Sequence, residues 1–470
     1  MQHIRNFYLS SLSNCPVVLV LIMLLCAAPA HSRKEKRPGA KNYIYRVEMQ
    51  GKPQTGFTLA HPEEFLSPKS VERRRRQSLP VDSTDLPLSP LYIQRLNAVK
   101  GMNVVGGSKW NNTALVSTTI PGADTILQKL DFVKGVTHVY TAPDSIQPRP
   151  ARPKYHAELQ LRDTTLHTPY GEAQEQIHQL HGELLHQRGF RGRGMTIAVM
   201  DAGFLNADLI PCMRSIDVVG FQDLVVPQSK SIFTEMEHGT QVLSVMGVNQ
   251  EGVFVGTAPE ASYWLLRCED EQTEQPVEED YWARAAEVAD SVGADIISCS
   301  LGFCIYDNPN DTHPYWQQDG ETALISRTAS MLARKGIVLV NSAGNEGMSA
   351  WKRINFPADA RDILSVGAVT PEGRNAAFSS VGPTVDGRVK PEVMAQGSPA
   401  TVVSERGTLT SDMGTSYAAP IVAGLVACYW QAHPQKTALE VIGDVIKSSS
   451  NTLHPDNIYG YGIPDFTPRD

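Results

Sequence analysis

Three short segments, far apart in a chain of 470 residues, carry side chains able to share one reaction. The first, Thr196-Ile-Ala-Val-Met-Asp201-Ala-Gly203, is an apolar run that ends in a carboxylate, followed by a glycine that lets the chain turn away. The second, Glu237-His238-Gly239-Thr240-Gln-Val-Leu-Ser-Val-Met246, sets an imidazole at the start of a helix with an apolar inner face. The third, Gly414-Thr415-Ser416-Tyr-Ala-Ala-Pro420, places a hydroxyl just before Ile421-Val-Ala-Gly-Leu-Val-Ala427, a helix apolar all round and therefore buried. Taken singly, each has a plain structural reading: a carboxylate in a turn, a histidine in a core, a serine as a helix cap. Taken together they describe nucleophilic catalysis. A serine hydroxyl attacks poorly near neutral pH until a base removes its proton. An imidazole with a pKa near 6.5 suits that transfer, and a carboxylate can hold the ring in the right tautomer and stabilise the imidazolium.

The surrounding pattern supplies a scaffold for such a set. From Gly171 onward the chain alternates between strand-like and helical runs: Met195–Met200, Ser262–Leu266, Ala283–Val292, Ile296–Ser300, Thr322–Arg334 and Ile337–Val340. That alternation predicts an α/β domain with a largely parallel sheet covered by helices, and active groups on such sheets sit at the carboxyl ends of strands. An amphipathic helix places Ile177, Leu180, Leu184 and Leu185 on one stripe and is stopped by Gly189. The glycines of Gly189-Phe-Arg-Gly-Arg-Gly194 precede their strand, whereas a phosphate-cradling loop follows one, so they do not mark a dinucleotide site.

Composition narrows the class further. With 41% apolar residues, 36 Gly and 31 Pro, the chain is neither disordered nor collagen-like nor a coiled coil, and a net charge of −8 argues against a nucleic-acid binder. The single long apolar run, Pro16 to Ala30, follows Arg5 and ends in Ala28-Pro29-Ala30. It reads as a secretory signal over residues 1–30, which places the protein outside the cytoplasm, in a periplasm or the medium. After its removal no membrane span is expected. Five cysteines then remain, Cys212, Cys268, Cys299, Cys304 and Cys428; the odd number leaves at least one thiol free in a monomer, and sequence does not assign pairs.

Charge is distributed unevenly. Residues 31–172 hold 21 Lys and Arg against 13 Asp and Glu, a balance of +8, whereas residues 173–470 hold 20 against 37, a balance of −17. A basic domain over 31–140 therefore precedes an acidic one over 170–470, joined by a Pro-rich polar linker at 141–169. Two surfaces of opposite sign are expected to dock. The basic domain reads as α+β: strands at Tyr43–Glu48, Met102–Val105, Ala114–Thr118 and Val136–Tyr140, with helices from Ser67, over Leu88–Ala98 and over Ala123–Leu130. The run Arg73-Arg-Arg-Arg76 is expected to be a solvated helix face.

The chain order Asp, His, Ser on a parallel α/β sheet is that of subtilisin, and residues 171–465 resemble the subtilisin-like serine peptidases, or subtilases. Further matching pieces are Gly256-Thr-Ala-Pro259, Ser300-Leu-Gly302, Ser342-Ala-Gly-Asn345, Phe378-Ser-Ser-Val-Gly-Pro383 and Lys390-Pro391. The basic domain is similar to the family's ferredoxin-like inhibitory propeptides. The resemblance implies a secreted serine endopeptidase, made as a self-inhibited precursor, that works through an acyl-enzyme with Ser416 as nucleophile, His238 as base and Asp201 as its partner. It further implies that the Asn345 side-chain amide and the Ser416 backbone N–H bind the oxyanion. Ser300, Leu301 and Gly302 would pair with an extended substrate, and Ala343 and Gly344 would form the opposite wall of the pocket for the residue before the scissile bond.

Partners implied are protein or peptide substrates and the chain's own propeptide, with the enzyme a monomer. No cofactor is required for the chemistry; structural calcium is common in the family, but no carboxylate cluster in the sequence marks a site. Two departures from the family pattern stand out. Ala202 replaces the usual Ser or Thr after the catalytic Asp, and Glu237 stands beside His238, where an acid close by would raise the imidazole pKa. The acidic stretch Glu269-Asp-Glu271, Glu274 and Glu278-Glu-Asp280 borders the expected substrate groove and suggests a preference for basic residues two to four positions before the cut. The loop Cys304 to Gly320 is a candidate cover for the site.

Overall fold

The computed structural model describes residues 41–146 and 151–468. The expected export signal at 1–30 lies outside the described residues. The first unit contains β1 (Tyr43–Met49), α1 (Pro68–Arg76), α2 (Pro90–Asn97), β2 (Met102–Ser108), β3 (Thr113–Thr118), α3 (Asp124–Leu127) and β4 (Val133–Thr141). Its four strands form one antiparallel sheet in the order β2-β3-β1-β4. The period-two alternation of β1 divides its side chains between two environments. Tyr45, Val47 and Met49 pack with Leu96, Leu127 and Phe132 in the unit's own core, whereas Ile44 joins a cluster built on the second unit.

The second unit contains α4 (Gln174–His178), α5 (Gly182–Gln187), β5 (Thr196–Asp201), β6 (Asp217–Asp223), α6 (His238–Gly247), the short pair β7 (Asn249–Gln250) and β8 (Phe254–Val255), β9 (Ser262–Arg267), α7 (Val277–Val292) and β10 (Ile296–Cys299). Then follow α8 (Leu324–Ala329), β11 (Val338–Ser342), β12 (Leu364–Val369), β13 (Val393–Gln396), the hairpin β14 (Ala400–Val403) and β15 (Leu409–Asp412), α9 (Thr415–Ala432) and α10 (Ala438–Ser448). Seven strands make one parallel sheet in the order β13-β12-β11-β10-β5-β9-β6. Every residue of β5, β10, β11, β12 and β13 is buried, as a parallel sheet covered on both faces requires. The chain winds from β5 outward to β6 and β9 and then crosses to β10, so the winding direction changes between β5 and β10. The single helix expected over 177–185 is two helices, α4 and α5, because His181 adopts a left-handed conformation between them.

Helix α9 is buried along nearly its whole length, with a proline inside it. Pro420 has no N–H for the Ser416 carbonyl four residues back. The Ser300 hydroxyl donates to that carbonyl instead, at 2.7 Å, and so ties the end of β10 to the start of α9.

The two units meet along α7, and charge does much of the joining. The Arg46 guanidinium donates to both Asp280 carboxylate oxygens at 2.6–2.9 Å. The Glu287 carboxylate accepts from the Ser108 hydroxyl at 2.5 Å and from the Lys109 and Trp110 backbone N–H groups at 2.9 Å. The four-arginine run is not a solvated face. Arg73 and Arg74 are 2% and 1% exposed and both donate to Asp290, while Arg74 also reaches Asp85, which in turn pairs with Lys335 at 3.0 Å. Arg75 and Arg76 conform to the expectation and are exposed, Arg75 pairing with Glu72 at the surface. The segment expected as a linker is fastened at two places: Asn206 donates to Pro153 O and to Glu405 O, and the His156 N–H donates to Arg406 O.

A prediction follows from the Arg73–Arg74–Asp290 contact. Removing one partner of a buried ion pair strands the other charge and typically costs about 3–5 kcal/mol. Asp290→Ala should therefore lower the stability of the full-length chain by that order in a urea titration. A loss below about 1 kcal/mol would show that the contact is not what holds the units together.

Candidate active site

The residues singled out for chemistry converge where the sheet's winding changes direction. Asp201 ends β5, Ser300 follows β10, His238 opens α6 and Ser416 lies in the first turn of α9. This is the place on an open parallel sheet where ligands gather, outside the carboxyl ends of two strands whose connections diverge.

Asp201 is fully buried, and its oxygens are accounted for. His238 Nδ1 lies 2.9 and 3.0 Å from the two carboxylate oxygens, and the Ala202 backbone N–H donates to Oδ1 at 2.8 Å. With Ala202 lacking a hydroxyl, a backbone donor serves this carboxylate. In the neutral ring Nδ1 keeps its proton toward Asp201, which makes Nε2 the acceptor. Close approach of α6 to the β5 turn makes a glycine necessary at 239: a Cβ there would lie 2.3 Å from Gly203 O and 2.9 Å from Asp201 Cβ. Arg267, at the end of neighbouring β9, steadies the turn from below. Its Nε donates to Ala202 O at 2.9 Å, its Nη1 donates to both Asp223 carboxylate oxygens at 3.2 Å, and its Nη2 lies 3.5 Å from Glu235. In the sequence the only signal of Arg267 is that a charge closes the apolar run Tyr263-Trp-Leu-Leu266.

Burial depresses the His238 pKa, but the charge and hydrogen bond of Asp201, with Glu269 and Asp412 further off, outweigh it and hold the imidazole at about 9. Glu237 is not among these causes; its charge acts on Glu271 and Tyr417. Burial, with the charges of Glu274 and Asp201, in turn pushes the Glu269 carboxyl up to about 8.

The Ser416 hydroxyl, 8% exposed, donates to Ser300 O at 3.3 Å. Among the described residues no hydrogen bond joins it to His238. The two share a neighbourhood through Tyr417, whose ring lies 5.9 Å from the imidazole and whose hydroxyl contacts Asp412 at 2.7 Å and Gln241 at 2.6 Å. Asn345 follows the end of β11 and is exposed. Its Oδ1 accepts from the Thr415 N–H at 2.9 Å and the Thr415 hydroxyl at 3.1 Å. A backbone N–H can only donate, so the carbonyl end of the amide faces Thr415 and the NH2 end remains as a donor beside the helix terminus that carries Ser416. Thr415 also accepts from the Gly344 N–H at 3.1 Å. It thus positions the Asn345 amide and the Gly344 wall together, a role that its own position in the sequence did not signal.

Several expectations about the margins of the site need correction. Glu278, Glu279 and Asp280 do not face a groove: they are 0%, 2% and 1% exposed. Glu278 accepts from the Asp270 and Gln275 backbone N–H groups, Glu279 accepts from Tyr306 and Ile325 and pairs with His313, and Asp280 holds Arg46. The loop from Cys304 to Gly320 is fastened to α7 through those Glu279 contacts, and Tyr315 donates to Pro383 O. Cys212, Cys268, Cys299, Cys304 and Cys428 are all free thiols, and burial pushes Cys299 and Cys304 up to about 12. Among the described residues no group of three or more His, Cys, Asp or Glu side chains is arranged to hold a metal ion.

Residues 192–462 match the subtilase family, and residues 44–166 match the peptidase S8 propeptide domain of Bacteroidota. Subtilisin NAT of Bacillus subtilis subsp. natto is 29% identical over 297 residues, covering 63% of this chain and 69% of its own. Subtilisin of Bacillus pumilus is 28% identical over 297 residues, covering 63% of this chain and 96% of its own. The crystal structure of MycP1 from the ESX-1 type VII secretion system shares the fold with a TM-score of 0.51 and 22% identity, covering 68% of this chain and 93% of that one.

The Asp201–His238 pairing carries a pH signature. The folded pKa of about 9 lies above the unfolded value near 6.5, so the pairing adds stability that is fully present below pH 6.5 and is lost as pH rises through about 9. Asp201→Asn removes the charge and leaves burial as the larger influence, so histidine NMR should find His238 titrating below 6.5 in that variant. A titration that stays near 9 would remove Asp201 as the cause.

Proposed function

The chain belongs to the subtilase family of serine peptidases, and on that premise we propose that it is an exported endopeptidase, made as a self-inhibited precursor, whose chemistry runs through Asp201, His238, Ser416 and Asn345. The observation that carries this reading is the Asp201–His238 pair, which leaves Nε2 free beside the helix terminus bearing Ser416. Nε2 takes the Ser416 hydroxyl proton as Oγ attacks the substrate carbonyl. Asp201 stabilises the imidazolium that forms and holds the ring in place. The tetrahedral oxyanion accepts from the Asn345 Nδ2 and from the Ser416 backbone N–H, at the positive end of the α9 dipole. Collapse of the intermediate passes the proton from His238 to the leaving amine and leaves an acyl group on Ser416 Oγ. Water, deprotonated by the same imidazole, then releases it. These steps use side chains and backbone donors alone.

An extended substrate pairs with the edge Ser300-Leu301-Gly302, and Ala343 and Gly344 wall the pocket for the residue before the scissile bond. Residues 1–30 act as the export signal, 31–140 as the propeptide, 141–169 as the segment holding the maturation cut and 170–470 as the catalytic domain, which works as a monomer in the periplasm or the medium. Among the described residues no helix is long and apolar enough to cross a membrane. The docked propeptide supports self-inhibition: the Thr141 N–H, at the end of β4, donates to Gln275 Oε1 at 2.8 Å, and Gln275 Nε2 returns a bond to Thr141 O at 3.1 Å.

Two experiments test the assignment. Mass spectrometry of the purified chain beside Ser416→Ala should show self-processing and labelling by a serine-directed phosphonylating probe in the first and neither in the second; labelling that persists in the variant overturns the nucleophile. Asn345→Ala should lower turnover by about 10²–10³, the loss subtilisin itself shows when such a donor is removed, with little change in KM. Loss confined to KM would assign Asn345 to substrate binding instead.

A further inference from the structure

The side chain next to the nucleophile is turned toward the base. Tyr417 follows Ser416 in the first turn of α9 and is 4% exposed. Its ring lies 5.9 Å from the His238 imidazole, tilted by 46°. Beyond the ring its hydroxyl reaches two further elements: Asp412 Oδ2, at the end of β15, at 2.7 Å, and the Gln241 side-chain amide, in α6, at 2.6 Å. Gln241 stands three residues after His238 and so shares the helix face that carries the imidazole. The contact therefore ties the helix bearing the base to the helix bearing the nucleophile, within one turn of both.

The hydroxyl has one proton for two partners. Asp412, the charged acceptor, takes it, and a half-turn of the Gln241 amide brings its NH2 end to the hydroxyl oxygen, so that both bonds hold. Burial and the Asp412 charge push the Tyr417 hydroxyl well above its ordinary pKa, which keeps it a donor near neutral pH. Asp412 is itself held: its Oδ1 accepts from the Met413 N–H at 2.8 Å, and β15 pairs with β14, whose Val403 N–H donates to Ser244 of α6 at 2.9 Å. The reaction needs such a brace. Asp201 fixes the imidazole through Nδ1 from β5, which sets the ring against the sheet and not against α9. The Ser416 hydroxyl points its own bond at Ser300 O, so contact between the two reacting side chains does not set their spacing.

We propose that Tyr417 is a positioning residue of the reaction, its ring backing the imidazole and its hydroxyl locking α6 to α9, so that His238 Nε2 is held within reach of the Ser416 proton. The inference rests on the peptidase reading above. Proton transfer tolerates little misplacement, and an error of about 1 Å in the placing of reacting groups costs about a hundredfold in rate. Tyr417 takes no proton itself; it keeps the two groups that exchange one at a fixed separation.

The test uses the full chain after self-processing, with turnover expressed per site labelled to completion by the phosphonylating probe. Tyr417→Phe keeps the ring and removes the hydroxyl; it should lower kcat per labelled site by about tenfold or more while KM stays within about twofold. Gln241→Leu breaks the same tie from the other helix and should cost a similar factor. The double variant should be no slower than the slower single one, because the two residues act through one contact. Turnover per site unchanged in the single variants, a loss confined to KM, or losses that multiply in the double variant overturn the proposal. Counting labelled sites separates misplacement from misfolding: a variant that merely unfolds loses sites and keeps its turnover per site, which also overturns it. If Tyr417→Phe leaves no labelled sites, Gln241→Leu decides alone. Wild-type chain that the probe does not label sinks the peptidase reading instead.

Discussion

A carboxylate with no access to water sits at the end of a strand, and much of the site is arranged to keep it charged. Asp201 is fully buried. A charge in such a place persists only when hydrogen-bond donors surround it. One comes from its own chain, the Ala202 N–H, and one from His238 across the sheet end. Because the imidazole answers the carboxylate through Nδ1, the ring orientation is set and Nε2 is presented to the cleft. The contact needs α6 to start within reach of the turn after β5, which is why a side chain at position 239 would collide with both Gly203 O and Asp201 Cβ. It also needs that turn to stay still, and Arg267 secures it through the Ala202 carbonyl.

The serine side of the cleft is fixed differently, by exchanging one hydrogen bond for another. Pro420 deprives α9 of a donor one turn above Ser416, and the carbonyl left over is taken by Ser300. Ser300 O accepts from the Ser416 hydroxyl in return, so the two residues hold each other through both hydroxyls. The edge assigned to the substrate and the helix assigned to the nucleophile are locked together. Thr415 does similar work on the other flank, where its N–H and hydroxyl set the direction of the Asn345 amide.

The propeptide interface follows the same electrostatic logic on a larger scale. A net excess of basic groups on one unit and of acidic groups on the other would give only a weak, screened attraction if the charges stayed in solvent. Here the decisive ones do not. Arg46 leaves water to meet Asp280, and Arg73 and Arg74 both meet Asp290, while Arg46 and Arg73 also donate to the Pro276 and Ala294 carbonyls. Buried pairs of this kind contribute more to register than to raw affinity, because any shifted docking leaves a charge unpaired in a dry environment. Apolar contact supplies the rest: Ile44, Trp110, Leu115 and Val139 pack with Tyr281, Trp282 and Ala285 of α7 in one cluster.

Much of this was legible in the order of residues alone. Period-two alternation located β1 and its neighbours to within a few positions, continuous apolar runs announced the parallel sheet, and the settings of an aspartate, a histidine and a serine pointed to the family, because all of these are properties of short windows of chain. What the sequence could not determine was every feature whose partner lies far away. Four consecutive arginines look like a solvated face until Asp290, more than two hundred residues on, removes two of them from water. Glu278, Glu279 and Asp280 look like the border of a substrate groove until backbone N–H groups, His313 and Arg46 enclose them. Local pattern states which face of an element turns inward; only the packed chain decides what that face meets, because the energy of a buried charge or an unpaired amide belongs to its surroundings and not to the residue.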